Sequence, residues 1–312
     1  MMNGVGRISS NTSALCSFLA DMKRTILTLI AISSGWLLFC LNAHAVGEEA
    51  ADAGQPAAVN PEADRLAMVE YYKKRFPKIE IPEHINGSYA IDAGKRAQWL
   101  EIEEFPPYEI DVDEGEGLFS VPFANGKRYA DCFDNRGIGV KHKYPYYDND
   151  RGEVITLDYA INICRETHGE EPLDYLGEEM GYITAYMAFT SRGQIFDIKV
   201  PDEGLASYNK GKQFYYTRRG QLDFACSSCH ITAAGNLIRA EVLSASIGHA
   251  THWPTYRLKW DQLGGLHRRF IECNEQIGAE GLEPHGEAYR NLEYFLTYMN
   301  NGMELNGPGS RK

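Results

Sequence analysis

Residues 226 to 230 read C-S-S-C-H, two thiols three positions apart with an imidazole directly after the second. Thiols at that spacing can each form a thioether to a vinyl group of haem, and the adjacent histidine is then delivered to the iron. A redox dithiol or part of a zinc site also uses C-x-x-C, but neither needs that histidine. Cys226 and Cys229 are therefore the expected attachment points of one covalent haem c, and His230 the expected first axial ligand. The sixth ligand position separates an electron carrier from a catalyst. In simple electron-transfer cytochromes it is often Met or His. The downstream candidates are His249, His252, His267, His285, Met299, Met303 and Cys273. Lone histidines are more often surface or packing residues, and Met299 sits in an apolar helical stripe that reads as core.

Cys273 stands out through the cysteine count. Of seven cysteines, Cys16 and Cys40 fall in an N-terminal segment read below as a cleaved signal, leaving five. Two belong to the haem motif. Cys132 and Cys164 could pair as a disulfide, which an exported compartment permits, although Cys273 could instead pair with either of them. If the first pairing holds, Cys273 is alone, and an unpaired cysteine in an exported protein calls for a reactive or ligating role. Arg269 and Arg268 lie four and five positions before it in an expected helix, so Arg269 shares its face. A cation there favours the charged sulfur. The same guanidinium could hold an anionic substrate through two parallel hydrogen bonds, or be a plain surface arginine.

The elements that position these residues read as mainly α. The run MKRTILTLIAISSGWLLFCLNAHA has a basic start, a short apolar stretch and the site Ala43-His44-Ala45, so residues 1 to 45 are expected to be a signal cleaved after Ala45. Residues 1 to 21 lack signal logic, and translation is expected to begin at Met22. Residues 46 to 62 read as a flexible leader rich in Ala, Pro and acids. EADRLAMVEYYKKRF places Leu66, Val69 and Tyr72 at helical spacing, closed by Pro77 and Pro82. From 105 to 150 the density of Gly, Pro, Asp and Tyr predicts loops rather than long helices. VITLDYAINICRE and DYLGEEMGYITAYMAFTSRG predict helices, the second ending at Gly193. NKGKQFYYTRRGQLDFACSSCH runs a short helix into the haem motif, and GEAYRNLEYFLTYMNNG predicts an amphipathic terminal helix with Leu292, Phe295, Leu296 and Met299 on one face. A Y-x-x-x-Y-M pattern recurs, Tyr182, Tyr186 and Met187 against Tyr294, Tyr298 and Met299. With the parallel layout it suggests two related domains, 63–194 and 195–312, joined by the extended IFDIKVPDEG. Only the second carries C-x-x-C-H.

At 312 residues the chain accommodates two ordinary domains, and 44% hydrophobic content suits globular folding. The net charge of −12 becomes two units more negative once the signal is removed. A chain this acidic repels nucleic-acid phosphates and fits an exported protein that docks a basic partner. No segment approaches the ~20 apolar residues of a comfortable membrane span.

Taken together, these segments resemble the SoxA family, the c-type cytochrome subunits of bacterial SoxAX complexes that begin thiosulfate oxidation. The resemblance runs through RYADCFDNRGIGVKHKYPYYDNDRGEVITLDYAINICRE, FACSSCH, GLHRRFIECNEQIGAE and the closing YFLTYMNNGMELNGPGSR. It implies two cytochrome c-like domains, the first without haem, and a haem-binding partner, SoxX, in a periplasmic heterodimer. It implies L-cysteine S-thiosulfotransferase activity, which joins thiosulfate oxidatively to a cysteine of the SoxYZ carrier, with electrons leaving through haem to SoxX and an external cytochrome c. Carried over by motif, Cys273 becomes the axial thiolate and catalytic cysteine, isolated as a persulfide, and Arg269 the substrate-orienting cation. With no C-x-x-C-H in its first half, the chain resembles the monohaem branch, which implies a Cys132–Cys164 disulfide. Two competing readings are a plain electron-transfer cytochrome c and a thiosulfate dehydrogenase. The free thiol at 273 opposes the first, and the single haem motif opposes the second.

Overall fold

The structure, a computed structural model, describes residues 59–311. The expected signal segment and nearly all of the leader lie outside the described residues. Helices dominate: α1 (Pro61–Arg75), α2 (Ala93–Glu103), α3 (Glu109–Ser120), α4 (Leu157–Thr167), α5 (Glu178–Phe189), α6 (Leu205–Tyr216), α7 (Leu266–Gln276) and α8 (Glu287–Tyr298). Short strands fill the connections: β1 (Tyr146–Asp148), β2 (Glu153–Ile155), β3 (Leu237–Ile238), β4 (Glu241–Val242), β5 (Thr255–Arg257), β6 (Gln262–Gly264) and β7 (Gly309–Arg311). β1–β2 and β3–β4 are antiparallel hairpins, while β5 sits between antiparallel β6 and parallel β7. The fold is mainly α.

An internal repeat organises it. β1–β2–α4–α5 recurs as β5–β6–α7–α8 at one constant shift of 109 residues, from Leu157 to Leu266 and from Glu178 to Glu287. α3 crosses α5 as α6 crosses α8, and each crossing is made close by one glycine. A Cβ on Gly115 would lie 2.0 Å from the Tyr182 carbonyl oxygen, and one on Gly211 would lie 1.9 Å from that of Asn291. Both acceptors are backbone atoms, so only glycine fits.

α3 lies where the composition predicted loops. Gly115 and Gly117 lower its helix propensity, but the α5 crossing needs Gly115, and tertiary packing outweighs propensity. α5 ends at Phe189, short of Gly193, which takes positive φ in the turn beyond. The Y-x-x-x-Y-M match is out of register: the repeat sets Tyr186 with Phe295 and Met187 with Leu296. Residues three apart share a helix face, so the pattern could not distinguish the two registers.

α1 is capped by Asn60, whose side chain accepts from Ala63 N at 3.0 Å, with Pro61 in the first turn. Its buried stripe is Met68 and Tyr72, with Val69 half-buried against the same core, whereas Leu66, predicted on that face, is 49% exposed. Met68 and Tyr72 join the core built from α6, α8 and the 196–198 segment, while Phe119, Tyr129, Leu157, Ile161 and Met180 form a second core in the first repeat. α8 is buried on more than one face: besides Leu292, Phe295 and Leu296, it buries Tyr289, Asn291, Glu293, Tyr294 and Thr297. Of the polar members, Glu293 faces a charged cluster where the repeats meet. There His267 Nε2 lies 2.9 Å from Glu293, Thr156 meets His285 Nδ1 at 2.8 Å, and Thr184 donates to Asp158 at 2.9 Å. Burial raises the Asp158 carboxyl above its ordinary range.

Candidate functional site

A cavity of about 290 Å³ opens between α6, the 224–230 turn, the 241–257 segment, α7 and α8. Cys226, Cys229, His230, Arg269 and Cys273 all line it. The haem-motif residues enter from a turn pinned by backbone pairing of Arg219 with Phe224 and by Ser228 Oγ accepting from Ala225 N at 3.0 Å. α7 reaches the cavity from the other direction. Arg269 and Cys273, one helical turn apart, both face it.

His230 Nδ1 donates to the Ser244 carbonyl at 3.1 Å, which leaves Nε2 as the nitrogen with a free lone pair. Enclosure pushes its pKa down to about 4, so the ring is neutral at ordinary pH. A neutral imidazole fixed through one nitrogen is a metal-ligand geometry. The His230 carbonyl accepts from Tyr72 Oη at 2.5 Å, and Tyr72 Oη accepts from Ser246 N at 2.9 Å. α1 thus braces the motif from behind. Tyr71 donates to Ile231 O and Arg75 to Ala234 O along the same edge.

Burial pushes the Cys226 thiol up to about 11, with nearby Cys273 adding to the effect and Arg219 opposing it. Burial and Cys273 likewise raise Cys229. The three sulfurs therefore share one enclosure. Arg269 is held above its ordinary range: burial works against its charge, but Cys273 and Glu272 overcome that. It donates to Glu272 Oε2 at 3.0 Å. Glu272 is down to about 2, because Trp260, Lys259 and Arg269 donate to it and outweigh its burial. Arg268 instead lies over Trp260, 4.5 Å from the ring centre.

The other proposed sixth ligands divide by position. His249 and His252 line the cavity. His249, however, stands with its ring centre 4.2 Å from that of His230, leaving no room for an iron and its macrocycle between them. His267 and His285 stack on each other in the charged cluster, and Met299 and Met303 belong to the core. In the first repeat, Cys132 and Cys164 form a disulfide with Cα atoms 5.8 Å apart. The repeat shift sets Cys164 in the place of Cys273.

The residues present fit a c-type haem. The cavity has an apolar wall of Phe214, Ala225, Leu266, Phe270, Leu292 and Leu296, and a polar end at His252, Arg257 and Arg311. Haem has the same division, an apolar ring system with carboxylates at one edge. Tyr72, Arg257 and Arg311 were not singled out in the sequence. Tyr72 carried only a helical-periodicity signal, and the arginines carried none.

Comparison with known proteins agrees with this chemistry. The SoxA/TsdA cytochrome c domain family matches residues 114–196, the repeat without C-x-x-C-H. The L-cysteine S-thiosulfotransferase subunit SoxA of Allochromatium vinosum is 52% identical over 262 residues, 83% of this chain and 93% of that protein. The protein of the same name from Chlorobaculum tepidum is 48% identical, over 80% of this chain and 88% of its own length. The crystal structure of SoxXA from P. pantotrophus aligns with a TM-score of 0.64 at 27% identity, covering 69% of this chain and 84% of that one. Identities of 52% and 48% along most of both chains, with the structural likeness beside them, place the chain in the SoxA family of c-type cytochromes.

Proposed function

We propose that the chain is the haem-carrying subunit of a periplasmic L-cysteine S-thiosulfotransferase, with Cys273 as the sulfur-exchanging residue. The observation that carries this is the shared enclosure of Cys273, Arg269 and the Cys226/Cys229/His230 motif. Residues 195–312 act as the haem-binding cytochrome c-like domain and 63–194 as its haem-less counterpart, a division that the repeat supports from α3 onward, while α1 packs on the core of α6 and α8. Cys226 and Cys229 would hold a single haem through thioethers, with His230 Nε2 and the Cys273 sulfur the donors available to its iron. When bound, the haem supplies a soft metal site for a thiolate and a route for electrons. Arg269, in the same cavity as Cys273, holds the sulfonate end of thiosulfate by charge-assisted hydrogen bonds. α7 fixes the distance between the two.

In the overall step, thiosulfate is joined to a cysteine of the SoxYZ carrier. One S–S bond forms, the carrier S–H bond breaks, the proton passes to solvent, and two electrons leave to SoxX and an external cytochrome c. Cys273 takes part through its sulfur, which can carry an extra sulfur as a persulfide. SoxX as partner is supported by the likeness to the SoxXA structure. Export is supported by the signal pattern of residues 1 to 45, and no described helix is long and apolar enough to cross a membrane.

The test is Cys273→Ala, assayed with SoxX and carrier present. Covalent haem content should match the unaltered protein, while thiosulfate-dependent cytochrome reduction falls to background. Near-normal turnover in this variant would sink the proposal. Mass analysis of unaltered Cys273 peptides should show one extra sulfur that reductant removes.

A further inference from the structure

Two arginines of the cavity have no part in the chemistry above. Arg257 ends β5 and Arg311 ends β7, and the parallel register sets them directly opposite each other. Residues paired this way project to one face of a sheet, and both side chains line the cavity. Like charges directly opposite across a ladder are destabilising, so the pairing calls for an anion.

The charges of Glu272 and Glu103 reach them, but among the described residues neither guanidinium is paired with a carboxylate. Arg311 is only 8% exposed, and its Nη1 donates to Ser310 O at 2.7 Å, while buried Nη2 has no hydrogen-bond partner. It lies between aromatic rings, 5.1 Å from the centre of Tyr89 and 5.4 Å from that of Trp99. Glu103, whose charge reaches it, is occupied by Trp99, Tyr108 and the Ser310 amide. Burial, with Arg257 nearby, brings Arg311 down to about 10. Arg257 lies 5.1 Å over Trp260, and its buried Nε is also without a partner. Arg257 in turn lies within the field of Arg269, with Glu272 acting in the opposite sense, and all three guanidiniums line the one cavity. A buried guanidinium with an unmet N–H is costly until an acceptor completes it, and two cations side by side favour an anionic one.

We propose that Arg257 and Arg311 form a clamp for oxyanions inside the cavity, taking carboxylate or sulfonate oxygens. Two sources share that chemistry: the two propionates of the haem and the sulfonate of thiosulfate. The propionate source rests on the haem reading above. It is favoured because the apolar wall suits the macrocycle while two guanidiniums side by side match two carboxylates on one edge.

The test uses full-length protein matured with haem, as Arg257→Gln, Arg311→Gln and Arg311→Lys. Haem per chain, the resonance Raman propionate-bending band, the pH profile of the reduction potential and optical titration with thiosulfate are measured on each. If propionates occupy the clamp, haem content stays near normal, and both Gln variants shift the band and the potential profile. Arg311→Lys then restores part of each shift, and thiosulfate affinity is unchanged. If thiosulfate occupies it, the band is unmoved and the dissociation constant rises tenfold or more. A band, a profile and an affinity all unchanged in Arg257→Gln and Arg311→Lys overturn the clamp. These two variants decide the matter even if Arg311→Gln fails to fold. Unaltered protein without covalent haem defeats the haem reading instead, and the thiosulfate titration then decides the clamp alone.

Discussion

Tyr72 shows how much the site owes to a residue that touches none of its chemistry. Its hydroxyl donates to the His230 carbonyl and accepts from the Ser246 amide, tying the motif to the loop that carries Ser244. Tyr72→Phe leaves a buried amide without its partner, which costs about 1–3 kcal/mol. The denaturant midpoint should fall with covalent haem content unchanged. Glu272 makes a prediction in pH. Its carboxyl is held down to about 2 against a reference of 4.5. A depressed acid stabilises the fold above the reference value, and that stability is lost as pH falls through the folded one. Unaltered protein should therefore lose its stability advantage over Glu272→Gln between pH 4.5 and 2, read from urea unfolding across that window. A difference constant with pH would contradict this assignment.

At the scale of elements, two helix crossings set the frame. α6 meets α8 through Gly211, and α7 follows β6 into the cavity with Arg269 and Cys273 on its inner face. Gly211→Ala places a methyl against the Asn291 carbonyl, a backbone atom that cannot turn aside. Overpacking of this kind costs about 1–3 kcal/mol, and each kcal/mol lowers Tm by roughly 2–4 °C in a chain of this size. Calorimetry should show that drop in Gly211→Ala and a comparable one in Gly115→Ala, because the two crossings are built alike. An unchanged Tm in both would mean that the helices separate more easily than the contact implies.

Across the whole molecule, the repeat sets two sulfur arrangements side by side. In the second repeat a cysteine on α7 faces a cavity that also holds the thiols of the motif. In the first, Cys164 at the matching position closes a disulfide with Cys132. That bond spans a sequence separation of 32 residues, and a loop of that length restricts the unfolded chain by ~3–4 kcal/mol. The double variant Cys132→Ala/Cys164→Ala should lose about that much stability in denaturant, while its haem content and optical spectrum stay unchanged. A spectral change would mean that the first repeat supports the haem site directly, through the charged cluster where His267, Glu293, Asp158 and His285 meet.

C-S-S-C-H and the lone Cys273 were legible because their information is local: residue type, spacing, and a count of thiols. The helices around them were legible for the same reason, through periodicity within one element. Tertiary structure alone decided which candidates share a space. It separated Cys273 from His267, His285, Met299 and Met303, set Tyr72 behind His230 across more than 150 residues of chain, and brought Arg257 against Arg311 by strand register. It also corrected the repeat by three residues, an ambiguity inherent in a helix whose face recurs every three to four positions. Chemistry belongs to side chains and can be read one at a time. Enclosure, the desolvation it imposes and the pairing it leaves incomplete belong to segments distant in sequence, and they exist only once the chain is folded.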